Sequence, residues 1–315
     1  MTRPGSSRPA LAALAAAGAV GAAAAVWGIG IERHLYVVRR HTAPILEPGS
    51  EPLRILHVSD LHMAPWQRRK QRWIASLAGL QPDLIVNTGD NLGHVDGLDG
   101  VRAAFEPFRG IPGLFVHGSN DVVAPGPRNP FAYFAGPSQH GEVLKPLDTA
   151  ALDAYLEGLG WRSVDNASAS FDVRGHRIDA FGVGDAHRDW DRIDLLPGLV
   201  EGLREADAGD GADPEPLTVG VTHAPYRRVL DAFTTLGANL VFAGHTHGGQ
   251  VRVPGYGALV ANCDLPLRQA RGLSSWSHSG RRIPLNVSAG LGQSIYAPVR
   301  FACRPEATFL TLVPR

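Results

Sequence analysis

The stretch Gly244-His245-Thr246-His247-Gly248-Gly249-Gln250 stands directly after a short apolar run, Leu240–Ala243. In an extended chain, residues two apart leave on the same side, so His245 and His247 face one way. The glycine before His245 allows the backbone to turn sharply at this point. A strand followed by a turn that carries two imidazole groups is therefore predicted here. Imidazole is a common ligand of borderline divalent metals.

Four other apolar runs, spread along the chain, end in polar residues of the same kind. They are followed by Ser59-Asp60-Leu61-His62, Gly89-Asp90-Asn91, Gly118-Ser119-Asn120-Asp121 and Thr222-His223-Ala224-Pro225. Any one of these elements is a weak signal, because Asp, His and Asn are frequent at surface strand ends. All five in this order, each after an apolar run, strongly indicate a shared metal site.

Short apolar runs alternate with helical patterns, which predicts an α/β fold with functional groups on loops at strand ends. The predicted strands are Arg54–Ser59, Leu84–Thr88, Leu114–His117, Thr218–Thr222, Leu240–Ala243, Leu285–Ser288 and Thr308–Val313, with a hairpin of Ser168–Val173 and Arg177–Gly182. The predicted helices are Arg68–Leu80, Val101–Phe108, Thr149–Leu159 and Pro225–Phe233. Two segments, Val122–Leu147 and Val251–Pro284, lack a regular pattern. We expect the first to face substrate because it follows a site loop.

The ordered motifs resemble the calcineurin-like metallophosphoesterase superfamily over roughly Leu53 to Pro314. The extended Gly-His-Thr-His-Gly-Gly-Gln motif resembles that of the membrane-associated bacterial branch. The late segment from Ser288-Ala-Gly-Leu-Gly292 through Pro298-Val-Arg300 resembles the same branch. The resemblance implies two packed mixed β-sheets flanked by helices, with the site on loops at one sheet edge.

The resemblance also implies two divalent metal ions, of Mn, Fe or Zn, that activate a water to hydrolyse a phosphoester. A bridging carboxylate would offset the repulsion between cations about 3.5–4 Å apart. No serine or cysteine nucleophile is then needed. The implied ligands are Asp60, His62 and His247 for one ion, His223 and His245 for the other, and Asp90 between them.

Residues 118–121 depart from the superfamily pattern, which usually reads Gly-Asn-His followed by an acidic residue. Aligned without a gap, Ser119 takes the ligand position; with a shift of one residue, Asn120 takes it. We favour Asn120, because an amide oxygen coordinates better than a neutral hydroxyl. The usual catalytic histidine is missing in both alignments, which leaves the catalytic residue unknown. His94 and His187 are candidates to replace it, and each also fits a surface-loop histidine.

The N-terminal segment Ala10–Ile31 has 22 residues without a charge, enough to span a hydrocarbon core as a helix. We therefore predict one N-terminal apolar helix that anchors the protein in a membrane, residues 1–31. A cleaved secretory signal and a soluble alanine-rich helix are the alternatives. Arginines flank both ends, so the side of the membrane is not determined. Prolines and glycine in residues 32–52 predict an irregular linker before a metallophosphoesterase domain at 53–315.

The formal net charge of the 315-residue chain is zero, so no general attraction to nucleic acid is expected. A membrane helix and an aromatic loop favour a lipid-linked phosphate or pyrophosphate as the substrate. One rival is a metal-binding scaffold that lost turnover through the change at 118–121. The other is a soluble phosphodiesterase for cyclic nucleotides.

The basic cluster Arg68–Arg72 fits either a solvated helix face or a lipid contact. Cys263 and Cys303 fit one disulfide or two free thiols.

Overall fold

Two six-stranded β-sheets form the centre of the computed structural model, which describes residues 8–126, 145–210 and 215–315. The first sheet has the order β1 (Val37–Leu46), β14 (Glu306–Pro314), β2 (Leu53–Val58), β3 (Leu84–Asn87), β4 (Gly113–Phe115) and β5 (Trp161–Ser163). The second has the order β12 (Gly272–His278), β13 (Arg281–Val287), β9 (Leu240–Ala243), β8 (Leu217–Thr222), β7 (His176–Val183) and β6 (Ser168–Val173). A small hairpin joins β10 (Arg252–Val253) and β11 (Gly257–Ala258).

Helices flank both sheets. They are α2 (Arg68–Ser76), α3 (Leu98–Phe105), α4 (Ser119–Val122), α5 (Thr149–Gly158), α6 (Leu196–Asp210) and α7 (Arg227–Leu236). The N-terminal helix α1 (Arg8–Val26) is exposed along its length instead. The inner faces of the sheets pack on each other, with Val86 and Leu114 in the same apolar cluster as Val219 and Phe242. The predicted fold class, two mixed sheets flanked by helices, is confirmed.

The parallel strands bring the predicted site loops together. β2, β3 and β4 are parallel neighbours, and so are β7, β8 and β9. The carboxyl ends of parallel neighbours lie at one edge of their sheet, and each buried strand ends one to three residues before a motif. The predicted strands and the hairpin of β6 and β7 all occur; β6 and β9 have the predicted ends, and the ends of the other strands differ by at most four residues.

The structure differs from the prediction of an irregular linker at 32–52. Val37–Leu46 forms the edge strand β1, which pairs in parallel with β14 with a shift of register between Pro44 and Leu46. Pro44 is compatible with this strand because an edge strand leaves one row of N–H groups unpaired. The edge position explains why proline was a misleading signal here. Within the segment predicted to be irregular, Val251–Pro284, β12 and the start of β13 form a second antiparallel pair.

The N-terminal residues form one apolar helix, as predicted. Leu11–His34 is long and apolar enough to cross a membrane by length and composition alone. A signal sequence passes the same test. The helix ends in a π-helical turn, Trp27–Ile31, and a 3-10 turn, Glu32–His34. Most of the segment Val122–Leu147, which we expected to face substrate, lies outside the described residues. Its two described ends are joined by a bridge between Val123 and Pro146.

Candidate metal centre

Two groups of side chains at the shared edge of the sheets could each hold a metal ion. Donor atoms of Asp60, His62 and His247 lie within 4.8 Å of one another, and so do those of Asp60, Asp90 and His223. Asp90 lies between the groups, because its Oδ2 is 3.4 Å from His62 Nε2 and 3.6 Å from His223 Nε2. The five residues come from loops after β2, β3, β8 and β9, which are far apart in the sequence.

The hydrogen bonds of the imidazole rings leave lone pairs that fit a metal. His223 donates from Nδ1 to the Thr88 carbonyl (2.7 Å), and its buried Nε2 has no hydrogen-bond partner. His247 donates from Nδ1 to the Gly292 carbonyl (3.1 Å). Its Nε2 lies 3.2 Å from Nε2 of His62. Two nitrogens that face each other at this distance need a shared proton or a cation, so the donor set fits a divalent metal.

Five of the seven predicted ligands have a backbone conformation that side chains other than glycine rarely adopt. Their φ angles are positive: Asp60 (49°), His62 (41°), Asp90 (55°), His245 (66°) and His247 (49°). A non-glycine residue in this region costs about 1–3 kcal/mol where it is strained, and such residues gather at functional sites. Backbone bonds between the loops hold the conformation, including Asp60 N to Gly89 O (2.8 Å) and His62 N to Asp90 O (2.9 Å).

A chain of buried side-chain hydrogen bonds ends on Asp60. His57 Nε2 lies 2.9 Å from the Thr88 hydroxyl, which donates to Ser59 Oγ (2.6 Å), and Ser59 donates to Asp60 Oδ2 (2.5 Å). Asn286 donates to His57 Nδ1 (2.7 Å), which fixes the tautomer with the proton on Nε2. Burial lowers the pKa of His57 to about 3, so the ring is neutral. The chain orients the Asp60 carboxylate from behind.

Burial and like charge make the carboxylates of this site reluctant to ionise without a cation. The pKa of Asp90 is raised to about 6, mainly by burial, with further contributions from the charges of Asp121 and Asp185. Burial raises the pKa of Asp60 as well, and the charge of Asp90 adds to it. A divalent cation relieves both effects, because it replaces lost hydration and offsets the repulsion.

The pKa values of the histidines are shifted in opposite directions in the two groups. Burial lowers the pKa of His62 to about 4, and burial followed by the charges of His62 and Arg300 lowers that of His247 far below 6.5. For His223, burial also lowers the pKa, but the carboxylates of Asp90, Asp185 and Asp60 outweigh it and raise it to about 9. The first group is therefore ready to bind a metal at neutral pH, whereas the second must release a proton from His223.

The structure places Asn120, the favoured ligand, directly against Asp90. Its backbone N–H donates to Asp90 Oδ1 (2.9 Å), and its amide Nδ2 donates to Oδ2 (2.7 Å). The backbone N–H of Ser119, the alternative ligand, donates to Asp185 Oδ2 (3.0 Å). Asp121 is fully buried and accepts bonds from the N–H groups of Asn91 (2.7 Å) and Leu92 (3.1 Å), so it joins this loop to the loop of Asp90.

His245 lies beside the second group without belonging to either set of converging donor atoms. Its ring centroid is 5.2 Å from that of His223, and its Nε2 is 3.1 Å from the Asn262 carbonyl.

Of the two candidate replacements for the missing histidine, His187 lies at the site, with its ring centroid 4.5 Å from that of His245. His94 packs against exposed Trp66 instead. Both cysteines are free thiols.

Sequence reasoning missed two buried cations behind the ligands. Lys70, assigned to a solvated or lipid-facing helix side, is buried, and its Nζ donates to the Leu61 carbonyl (2.6 Å). Burial, with the charges of Arg300 and Arg33, lowers its pKa to about 7. Arg300 is also fully buried and lies next to His247. Its position in the late motif that resembles the bacterial branch was the signal available for Arg300.

Residues 53–249 match the family model described as calcineurin-like phosphoesterase. The chain belongs to this family. It is therefore a metallophosphoesterase, an enzyme of the phosphohydrolase class. An uncharacterized metallophosphoesterase of Bacillus subtilis, YkuE, is 24% identical over 307 residues, which cover 93% of each chain. A second from the same organism, YkoQ, is 26% identical over 267 residues, or 83% of this chain and 84% of the relative.

Other similarities are more limited. The phosphodiesterase YaeI of Escherichia coli is 40% identical over 75 residues, which cover 24% of this chain and 25% of YaeI. Among solved structures, TT1561 of Thermus thermophilus aligns with a TM-score of 0.42 at 14% identity, covering 76% of this chain and 91% of that one. The NAD nucleotidase NadN of Haemophilus influenzae aligns with a TM-score of 0.45 at 12% identity, covering 76% and 51%.

Proposed function

We propose that this metallophosphoesterase hydrolyses phosphoester or pyrophosphate bonds with two divalent metal ions. Asp60, His62 and His247 hold the first ion, and His223, His245 and Asn120 hold the second. Asp90 bridges the two. When bound, the ions supply an activated water as the nucleophile and stabilise charge on the transferred phosphoryl group.

The position of Asp90 is the observation that carries this proposal. Its Oδ2 faces His62 Nε2 at 3.4 Å and His223 Nε2 at 3.6 Å, in a site where the carboxylate is almost completely buried. A buried carboxylate needs positive charge beside it, which the proton on His223 supplies in the absence of metal and which divalent cations on both sides would supply in its place. The N–H and amide group of Asn120 hold the carboxylate in place through two hydrogen bonds.

The protein's own groups orient the site and control its protons. The carbonyls of Thr88 and Gly292 accept hydrogen bonds from Nδ1 of His223 and His247, respectively. The lone pair of each Nε2 is therefore available to bind a metal. His187 lies beside His245 and also contacts the hydroxyl of Tyr226 (3.0 Å). It is our candidate for the role of the missing family histidine.

We propose further that the N-terminal helix anchors the enzyme in a membrane and that a lipid-linked phosphate or pyrophosphate is its substrate. The apolar residues of α1 are exposed along the helix, as lipid contact requires. Trp27 and Arg33 lie near its end, where amphipathic and basic side chains meet the membrane interface. Exposed Trp66 precedes the exposed Arg68 and Arg69 close to the site loop of His62, and these suit contact with lipid head groups.

The test uses the full chain in detergent micelles, because β1 lies upstream of Leu53 and belongs to the first sheet. Bound metal is counted after dialysis against Mn²⁺, and turnover is measured on aryl phosphomonoesters, aryl phosphodiesters, cyclic nucleotides and a nucleotide–lipid pyrophosphate. We expect two Mn²⁺ per chain and the fastest turnover on the lipid pyrophosphate. Two bound ions without turnover on any substrate would indicate a metal-binding scaffold that has lost activity. A preference for cyclic nucleotides would indicate a cyclic-nucleotide phosphodiesterase. Absence of bound metal would refute the dimetal assignment.

A further inference from the structure

Arg300 is tied to the backbone that orients His247. Its Nη2 donates to the carbonyls of Gly290 (3.2 Å) and Gly292, and it lies 3.4 Å from His247 Nδ1. The Gly292 carbonyl also accepts the Nδ1 proton of His247. Within residues 8–126, 145–210 and 215–315, no carboxylate forms an ion pair with this fully buried guanidinium. Its hydrogen bonds thus go to one short segment of backbone, residues 290–292.

The same segment supports the loop of Asp60. The N–H of Leu291 donates to the Ser59 carbonyl (3.0 Å), and the N–H of Gly292 donates to the Asp60 carbonyl (2.6 Å). A Cβ added at Gly290, where φ is +71°, would lie 2.6 Å from Cβ of Asp60. The segment therefore fills the space between the loops of Asp60 and His247, and a displacement of it would move both ligands.

The end of the N-terminal helix is hydrogen-bonded to the loop that carries Arg300. We call residues Trp27–Glu32 the helix foot. The Gly28 carbonyl accepts from Arg300 N (3.1 Å), and the Glu32 carboxylate accepts from the N–H groups of Ala302 (2.9 Å) and Cys303 (2.6 Å). Trp27 Nε1 donates to the same carboxylate (2.7 Å), which is only 4% exposed as a residue. Cys303 Sγ in turn donates to the His247 carbonyl (3.3 Å).

We propose that the helix foot and Arg300 are positioning groups for the metal ion held by Asp60, His62 and His247. Contact between the helix foot and the Arg300 loop fixes residues 290–292, and these fix the two ligand loops. The affinity of this one site for metal then depends on whether the helix foot is docked. This inference rests on the proposed metal centre and adds to it a link between the N-terminal helix and the first ion.

The experiment measures Mn²⁺ binding by calorimetry to the full chain in detergent, without substrate. The variant His247→Ala identifies which of the two binding steps belongs to the first site. We expect Arg300→Gln to weaken that step about 10–100-fold, the usual effect of losing a group that orients a metal ligand. We expect Arg300→Lys to retain part of the affinity, since an ammonium keeps the charge and at least one donor. Glu32→Gln should weaken the same step to a smaller extent, because it keeps one acceptor oxygen.

Matched controls separate this effect from general loosening. Arg304→Lys alters a neighbouring arginine that holds the Leu35 and Tyr36 carbonyls and does not reach His247. Glu47→Gln removes an exposed carboxylate. Both controls should bind Mn²⁺ like the wild type. If Arg300→Gln fails to fold, Arg300→Lys and Glu32→Gln decide the matter. Wild-type affinity in both, or an equal loss at the two sites, overturns the inference. A wild-type chain without Mn²⁺ binding instead overturns the proposed metal centre.

Discussion

The substitution Asp90→Asn should abolish metal binding and yet stabilise the metal-free protein. Asparagine keeps the shape of the side chain and one acceptor oxygen but removes the negative charge between the two metal groups. In the metal-free state this charge is unfavourable, because burial raises the pKa of Asp90 to about 6. In the proposed metal-bound state, the same charge would bridge the two ions. The two states of the protein therefore respond in opposite directions to one change.

The size of the gain follows from the pKa of Asp90. The difference between about 6 and the ordinary value of 3.8 corresponds to about 3 kcal/mol of lost stability in the ionised form. The favourable interaction with the His223 cation is already contained in that pKa, and the variant in addition gives up the bond from the Asn120 amide, about 1 kcal/mol. A net gain of about 1–2 kcal/mol in the free energy of unfolding remains. Because the folded pKa is raised, the gain is full above pH 6 and disappears as the pH falls towards 4.

The assay is thermal unfolding of the full chain in detergent at pH 7.5, in EDTA and in Mn²⁺. In EDTA, the Asp90→Asn midpoint should rise by about 2–8 °C, given 2–4 °C per kcal/mol for a domain of this size. In Mn²⁺ the wild type should gain stability and the variant should not. Asp96→Asn is the matched control, because that carboxylate is 75% exposed and should change neither result. A variant that binds two Mn²⁺ with wild-type affinity would refute the bridging role, and a lower midpoint in EDTA would refute the electrostatic reasoning.

Three further predictions concern other parts of the chain. Asn120→Ala should lose one of two Mn²⁺ ions while Ser119→Ala keeps both; metal stoichiometry showing the reverse would move the ligand to Ser119. The unfolding free energy of the wild type should fall between pH 6.5 and 10, by about 1.4 kcal/mol for each unit by which the folded pKa of His117 exceeds 6.5. In His117→Gln it should fall much less. The reason is that the carboxylates of Asp121 and Asp153 outweigh the effect of burial and raise the pKa of His117 to about 10, so its stabilising charge is lost as the pH rises. A parallel decline in both proteins would contradict this. Full-length protein should resist carbonate extraction from membranes, and release by salt alone would favour peripheral attachment.

Motif order predicted the site loops well because parallel strands gather their carboxyl ends. Asp60 and His247 are 187 positions apart in the chain, yet β2 and β9 end at the same edge, and their donor atoms converge. The pattern of apolar runs was enough to find those strands. It could not reveal β1, where hydrogen bonds to β14 along an exposed edge tolerate Pro44. Local sequence carries little information about such a distant partner.

The supporting groups were also beyond reach of local reasoning. Lys70 belongs to a run of basic residues on α2, and only the three-dimensional structure shows that its stem turns inward to reach the Leu61 carbonyl. The same holds for His57, whose role depends on Thr88, directly after β3, and on Asn286 of β13. The positive φ angles of the ligands follow from contacts between loops rather than from residue type. Residues such as Lys70 and His57, which support other residues of the site, form no recognisable motif of their own. The predicted metal ligands do.

The short connection between α1 and the sheet has a consequence for how the enzyme meets its substrate. Five residues separate the helical turn that ends at Ile31 from the first strand at Val37, a reach of at most about 18 Å. With α1 in a bilayer, as proposed, the catalytic centre is held in a thin layer above the membrane. Encounters with a lipid-borne substrate are then governed by lateral diffusion. Turnover should follow the mole fraction of substrate in the bilayer and be insensitive to diluting the vesicles at constant composition.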